Sequence, residues 1–265
     1  MPELPDVETY RRYLDATARR KQIRRVRVED KQVLEGVSEK RLNNILKSRR
    51  MTHTRRHGKH LLVKVGTDRW LAVHFGMTGY LAYYRDQDDE PDHAHVIFDL
   101  ANDYHLAYVA PRKLGDIRLT DNPDKFIERE DLGPDAFDGL DAEGFVGVLQ
   151  GRRGTIKSAV MNQSLIAGIG NVYSDEIFYR ARLHPATQVG SLTEEDLVKL
   201  WRRVRSVLKK AIEKLAQPDK LPDSWLIHRR EEGASCGICD GKIIKTKFSS
   251  GRGAYLCDTH QERKE

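Results

Sequence analysis

The spacing of apolar positions changes along the chain. Residues 5–18 have apolar side chains three to four positions apart, which predicts an amphipathic helix with its buried face at Val7, Tyr10, Leu14 and Ala18. A second short helix is predicted from Ser38 to Leu46. From His60 the spacing becomes strand-like in six segments, 61–65, 70–74, 80–84, 95–100, 104–109 and 116–119. Closely spaced strands without helices between them predict an antiparallel sheet or sandwich.

The second half of the chain has a different pattern. Residues 122–139 are rich in Pro, Asp and Gly and predict a linker. Beyond it the clearest helix runs from Thr193 to Leu215, with Ser191 and Glu194 as its expected capping box. The last ~35 residues are too few to build their own apolar core. The predicted divisions are therefore 1–121, a linker at 122–139, 140–230 and 231–265.

Composition narrows the class of protein. The 265 residues contain 46 Lys and Arg against 40 Asp and Glu, a net charge of +6, and 39% are apolar. This apolar content excludes a disordered polyelectrolyte, and the basic excess suits a polyanionic partner. No segment approaches the ~18 apolar residues of a membrane span, and the N-terminus lacks the features of a signal peptide. We therefore expect a cytoplasmic protein that does not bind membranes.

All three cysteines lie near the C-terminus. Cys236 and Cys239 form one pair, and Cys257 and His260 form a second pair after seventeen intervening residues. Two pairs at this spacing suit a tetrahedral zinc ion, and the residues between them predict a β-hairpin with Arg252 at its tip. The alternatives are a redox Cys-x-x-Cys motif, which lacks the surrounding βαβ pattern here, and buried thiols without a metal.

The N-terminus offers a possible nucleophile. Removal of Met1 would leave Pro2 with a secondary α-amine, and α-amino groups titrate near ~8, so part of the population is neutral at pH 7. Such an amine can attack an electrophilic carbon and form an iminium, and the adjacent Glu3 carboxyl could move protons. The alternative is an ordinary solvated tail.

Six segments share an order that is typical of one enzyme family. They are MPELPDVET at the start, RHGKHL at 56–61, HFGMTG at 74–79, APRKLGD at 110–116, QSLIAGIGNVYSDEI at 163–177 and GRGAYLC at 251–257. Together they resemble the formamidopyrimidine-DNA glycosylase/endonuclease VIII family of base-excision repair enzymes, over nearly the whole chain. The resemblance implies a multi-domain α+β fold with an N-terminal antiparallel β-sandwich, a helix-two-turns-helix domain and a C-terminal zinc-finger β-hairpin.

The resemblance also implies an activity and its residues. The expected enzyme is a bifunctional DNA glycosylase and abasic-site lyase that acts on oxidised bases in duplex DNA, as a monomer associated with the nucleoid. Pro2 would attack C1′ of the damaged nucleotide, Glu3 would open the sugar and shuttle protons, and Lys59 would contact phosphate beside the lesion. One Zn²⁺ would be structural, held by Cys236, Cys239, Cys257 and His260.

The remaining implied residues contact DNA. His74, Lys157 and Arg252 would bind phosphates, and backbone amides of the segment 166–171 would do so with the Asn171 side chain as a further donor. Met77, Arg112 and Leu114 would fill the gap left by the flipped base, and Arg112 would face the orphaned base. The expected DNA-contact residues are thus His74, Met77, Arg112, Leu114, Lys157, Asn171 and Arg252.

Some positions depart from the family pattern. Asp6 replaces a common Glu, Ala110 replaces an Asp, Leu114 replaces a common Phe, and His260 replaces a cysteine ligand. The connection at 216–224 is short and contains two prolines, whereas relatives that excise 8-oxoguanine usually carry a long Gly-rich loop there. We therefore expect weaker action on 8-oxoguanine than on formamidopyrimidines or oxidised pyrimidines.

Two other functions fit part of the chain. A non-catalytic, zinc-dependent protein that binds damaged or abasic DNA would explain the basic charge and the zinc hairpin, but would not need Pro2 and Glu3. An RNA- or ribosome-associated helix-two-turns-helix protein would explain only the middle of the chain.

Overall fold

A computed structural model describes residues 1–247 and 253–264 and divides the chain into two compact units. The first contains Met1–Pro2 and Asp6–Glu130, and the second contains Glu3–Pro5 and the chain from Asp131 onwards. The boundary between Glu130 and Asp131 lies within the predicted linker. That segment is not irregular throughout, because Asn122 caps a helix at Pro123–Arg129.

The first unit contains nine strands and three helices. The helices are α1 (Leu4–Thr17), which begins in the short Glu3–Pro5 segment, α2 (Glu39–Leu46) and α3 (Pro123–Arg129). The strands are β1 (Ile23–Val28), β2 (Leu34–Glu35), β3 (Met51–His57), β4 (His60–Val65), β5 (Arg69–His74), β6 (Tyr80–Tyr84), β7 (Ala94–Leu100), β8 (His105–Val109) and β9 (Asp116–Thr120). Both predicted helices and all six predicted strands are present, and β1, β2 and β3 are additional.

These strands form two sheets that share one core. The orders are β1-β7-β8-β6 and β2-β9-β5-β4-β3, and every pair is antiparallel except the two-residue pairing of β2 with β9. Alternate side chains from both sheets are buried in a single cluster, including Val26, Phe98, Leu106, Leu61, Val63 and Val73. The predicted antiparallel β-sandwich is therefore confirmed.

The second unit is helical and ends in a hairpin. Its helices are α4 (Ala142–Leu149), α5 (Ile156–Met161), α6 (Asn171–Ala181) and α7 (Glu194–Glu213), and β10 (Ile243–Lys247) pairs antiparallel with β11 (Gly253–Cys257). Helix α7 begins two residues later than a cap at Ser191 would require. Its capping box joins Thr193 and Asp196, so the predicted Ser191–Glu194 box is wrong.

No helix in residues 1–247 or 253–264 combines the length and apolar character needed to cross a membrane.

Candidate functional site

Glu3 is buried against the first turn of α6. Its carboxylate accepts hydrogen bonds from the backbone amides of Gly170 at 2.8 Å, Val172 at 2.8 Å and Tyr173 at 3.2 Å. The first amides of a helix have no intrahelical acceptor, and the positive end of the helix dipole favours an anion there. Glu3 therefore caps α6 from 167 or more residues away in sequence.

The closely spaced glycines make room for this contact. A Cβ on Gly170 would lie 2.4 Å from the Glu3 carboxyl group, and Gly168 adopts a positive φ of 117° beside Leu4. The sequence predicted that backbone amides of residues 166–171 bind a phosphate, but the Gly168 amide donates to the Gln163 side chain and the Gly170 amide donates to Glu3. A phosphate contact by this segment stays a prediction. The glycines are needed for close approach of the N-terminal segment to α6.

Pro2 directly precedes the Glu3 carboxylate in the chain and is half-buried, while Met1 is half exposed. The peptide bond to a buried, triply hydrogen-bonded residue restricts where the Pro2 nitrogen can lie. That Pro2 is the nucleophile and Glu3 the acid beside it stays a prediction, and the peptide bond between the two residues favours it.

Lys59 lies at the tip of the β3–β4 hairpin. His57 pairs with His60 across a two-residue turn, and Gly58 has a φ of 53°, as such turns require at their first central position. His60 pairs in register with His74 of β5, and their ring centroids are 5.0 Å apart. Lys59 and His74 are thus brought to one end of the second sheet.

The two histidines beside Lys59 favour their neutral forms. Burial, together with the nearby cationic groups, lowers the pKa of His60 to about 3. Burial also lowers the pKa of His74, although Asp116 opposes the change. A neutral imidazole can still donate one hydrogen bond, so the predicted phosphate contact of His74 does not require a charged ring.

The loops carrying Met77 and Leu114 touch each other. A Cβ on Gly76 would lie 2.4 Å from the Leu114 carbonyl carbon, and a Cβ on Gly115 would lie 2.2 Å from the His74 carbonyl oxygen. Met77 is 40% exposed and Leu114 is 53% exposed, which excludes a core role for both side chains. The exposed Arg112 lies in the same loop as Leu114.

Lys157 is placed differently from the expected phosphate contact. It is buried, and its ammonium pairs with Asp175 and donates to the Ser174 hydroxyl at 3.2 Å. The second Asp175 oxygen accepts from Arg230 at 2.7 Å and from the Tyr255 amide at 3.1 Å. Lys157 therefore belongs to a buried ion-pair network, and a direct DNA contact by it stays a prediction.

Asn171 is the first residue of α6, and its side-chain oxygen is buried without a hydrogen-bond partner in the described part of the chain. Arg252 lies outside the described residues. The DNA contacts of both residues stay predictions.

Three thiols and an imidazole converge at the hairpin. The ligand atoms of Cys236, Cys239, Cys257 and His260 all lie within 4.8 Å of one another. His260 Nδ1 is 3.4 Å from the sulfurs of Cys236 and Cys239, and the Cys239 and Cys257 sulfurs are 3.5 Å apart. A tetrahedral zinc with Zn–S bonds of about 2.3 Å requires ligand atoms about 3.8 Å apart, so the cluster fits a zinc ion.

The backbone around the cluster suits charged sulfurs. Each thiol accepts a backbone amide hydrogen bond at 3.4 Å from the residue two positions later, Ile238, Gly241 and Thr259 in turn. Donors aimed at sulfur stabilise the thiolate form that binds a metal. This geometry argues against a simple redox pair at Cys236 and Cys239.

Two residues of this region were not singled out from the sequence. Asp175 and Tyr179 lie one turn apart on α6 and face the hairpin: Asp175 accepts from the Tyr255 amide, and the Tyr179 hydroxyl lies 3.1 Å from the Cys236 sulfur. Their spacing of four residues places them on one face of the helix, and this spacing is the feature of the sequence that could have drawn attention to them. Nothing in the local pattern indicated what that face packs against.

Comparison with known proteins gives consistent results. The family model for the formamidopyrimidine-DNA glycosylase N-terminal domain matches residues 1–117, and the model for its H2TH domain matches residues 132–219. A formamidopyrimidine-DNA glycosylase of Pelotomaculum thermopropionicum is 34% identical, with 100% of both chains covered. A second, from Exiguobacterium sibiricum, is 32% identical, with 99% of both chains covered.

Solved structures agree with these matches. The Lactococcus lactis Fpg in complex with DNA containing an abasic site has a TM-score of 0.89 and 26% identity, covering 99% of this chain and 100% of that chain. The complex of the wild-type Lactococcus lactis protein with DNA containing an N7-benzyl-Fapy-dG has the same TM-score and coverage at 27% identity.

Proposed function

The chain belongs to the formamidopyrimidine-DNA glycosylase family, and on this premise we propose that it is a base-excision repair enzyme that removes oxidised bases from duplex DNA and cleaves the resulting abasic site. The observation that carries the proposal is the Glu3 carboxylate, buried and held by three α6 amides directly after Pro2. A protein that only binds damaged DNA has no need of this arrangement.

The chemistry follows from an amine beside a carboxyl group. With Met1 removed, the Pro2 nitrogen attacks C1′ of the flipped nucleotide, and the bond from C1′ to the base breaks as the base leaves with a proton. The Glu3 carboxylate accepts the proton that the attacking Pro2 nitrogen releases and passes it to the sugar ring oxygen, so the C1′–O bond breaks, the ring opens and an iminium forms between Pro2 and C1′. The iminium acidifies C2′, and elimination expels the 3′ phosphate and then the 5′ phosphate. Water finally releases Pro2.

The first unit supplies groups for holding the lesion. Lys59 and His74 lie together at the end of β4 and β5 and suit a phosphate beside the damaged nucleotide. Met77 and Leu114 are exposed on touching loops and suit insertion into the stack, which offsets the few kcal/mol that base flipping costs. Arg112 would then face the orphaned base and favour an acceptor-rich partner such as cytosine.

The second unit supplies the metal site. Cys236, Cys239, Cys257 and His260 would hold one zinc ion, and four protein ligands leave no open position for water. Zinc is therefore structural in this proposal and supports the hairpin that carries Arg252. We further propose that the enzyme acts as a monomer on nucleoid DNA.

Borohydride trapping on a duplex with an abasic site tests the nucleophile. The wild-type protein should form a covalent adduct, and Pro2→Gly or a form that retains Met1 should lose it. Pro91→Gly, in a loop of the first unit, is the matched control and should trap as the wild type does. Undiminished trapping in both N-terminal variants would exclude Pro2, and no adduct with any form would favour the non-catalytic DNA-binding alternative.

The substrate preference rests on the connection after α7. Residues 216–224 form a short 3-10 turn at Pro218–Lys220, and Leu221 and Trp225 are buried in the helical core. Leu221 and the adjoining Trp225 anchor this short segment, so it has little reach to cover a flipped purine. Single-turnover rates should be higher for formamidopyrimidines or oxidised pyrimidines than for 8-oxoguanine opposite cytosine. Equal rates would show that this connection does not set specificity.

A further inference from the structure

Tyr179 makes three contacts with the metal-ligand cluster, although it is not itself a ligand. It is fully buried near the end of α6, and its ring meets the His260 ring edge to face at 4.8 Å. Its hydroxyl oxygen lies 3.1 Å from the Cys236 sulfur and accepts the Gly237 amide at 3.0 Å. Its backbone carbonyl lies 3.1 Å from His260 Nε2.

These contacts determine where the protons are. The carbonyl of Tyr179 can only accept, so His260 must carry its proton on Nε2, which leaves the lone pair on Nδ1. Nδ1 is the atom that points at the Cys236 and Cys239 sulfurs. The Tyr179 hydroxyl already accepts from Gly237, so its own hydrogen is available for the Cys236 sulfur. Both contacts therefore suit the deprotonated, metal-binding forms of the ligands.

Charge explains why such support is useful. Three thiolates and a divalent ion leave a net charge of about −1 in a site where Cys236 and Cys257 are buried. Each sulfur receives a backbone amide, and Cys236 receives the tyrosine hydroxyl in addition. Donors at a buried thiolate offset the cost of removing its charge from water.

From this geometry, and on the proposed zinc site, we infer that Tyr179 is a positioning residue that fixes the His260 tautomer, stabilises the Cys236 thiolate and so links zinc binding to helix α6. The same helix receives the Glu3 carboxylate at its first turn. Its two ends are therefore tied to the proposed catalytic acid and to the metal hairpin, within an element of eleven residues.

Tyr179→Phe in the full-length protein tests the hydroxyl. The ring and the backbone carbonyl remain, so the fold and the His260 tautomer should be kept while the donor to Cys236 is lost. Zinc affinity, measured by competition with a chromophoric chelator, should fall about tenfold, the lower end of what outer-shell changes cost. In the Co²⁺-substituted protein, the sulfur-to-metal charge-transfer band should move to longer wavelength, because the thiolate is less stabilised.

Tyr84→Phe is the matched control. It removes a hydroxyl that donates to Glu90 at 2.7 Å in the first unit, and it should change neither zinc affinity nor the Co²⁺ spectrum. If Tyr179→Phe keeps its zinc affinity within twofold and its Co²⁺ spectrum unchanged, the inference is wrong. Wild-type protein that binds no zinc would instead overturn the metal part of the proposed function, so the two failures can be told apart.

Discussion

Replacing Asp175 by Asn should remove much of the stability of the second unit. The Asp175 carboxylate is fully buried and bonds Lys157, Arg230 and the Tyr255 amide. Asn keeps the shape but not the charge, so the buried Lys157 ammonium loses its counter-ion. Breaking a buried pair in this way costs about 3–5 kcal/mol, because an uncompensated charge stays in a low-dielectric site.

The assay is urea unfolding followed by tryptophan fluorescence. Trp201 and Trp225 lie in the core of the second unit, and Trp70 lies in the first, so a Trp70→Phe background makes the signal specific to the second unit. Glu195→Gln is the matched control, since it neutralises one partner of the exposed Lys199 pair on α7. Exposed pairs of this kind contribute little, so the control should unfold at the urea concentration of its parent.

The pH dependence gives a second readout for Asp175→Asn. Burial lowers the pKa of Lys157 and the Asp175 carboxylate opposes this change, so the Asn variant loses the opposing charge and its folded state favours the neutral amine more strongly than the parent does. The stability deficit of the variant should therefore shrink as the pH rises towards the usual lysine pKa of ~10.4. A variant within about 1 kcal/mol of its parent at pH 7 would refute the view that this network stabilises the unit.

Three further predictions concern the two units. Gly170→Ala places a Cβ 2.4 Å from the Glu3 carboxyl group and should slow single-turnover excision by at least ~10-fold. The control is Gly147→Ala, whose Cβ would have nothing within 4 Å and should leave the rate unchanged. Equal rates for the two variants would contradict the role of the Glu3 contact. The pKa of His60 is lowered to about 3, mainly by burial, so the free energy of unfolding should fall as the pH drops from ~6.5 towards 3, by at most ~1.4 kcal/mol per pH unit. His60→Phe should flatten that pH dependence in urea titrations at acid pH, and an unchanged slope would mean that other groups cause it. Arg252→Ala should weaken DNA binding measured by fluorescence anisotropy, and it should reduce the slope of log affinity against log salt concentration by ~1, while the zinc content stays at that of the wild type. An unaltered slope would show that Arg252 does not contact a phosphate.

Several features of this protein were already determined by local sequence. Helices α1 and α7 and six strands of the sandwich follow from apolar periodicity, because burying one face of a helix or strand imposes a period of 3.6 or 2. Strands β1 and β3 were missed because arginines are half of IRRVRV and because every residue of MTHTRRH except Met51 is polar or charged. The zinc ligands follow from pair spacing, since each knuckle is a local structure.

Other features were decided only by the tertiary structure. The family motifs marked Glu3, the 168–170 glycines and Lys157 as functional, but not that Glu3 occupies the α6 amides or that Lys157 is buried against Asp175. The contact of the Tyr179 hydroxyl with the Cys236 sulfur could not be predicted from the sequence either. Each of these contacts joins residues that lie on separate elements. The apolar pattern of one helix or strand shows which of its faces is buried, but it does not show which polar group of another element the fold brings against that face.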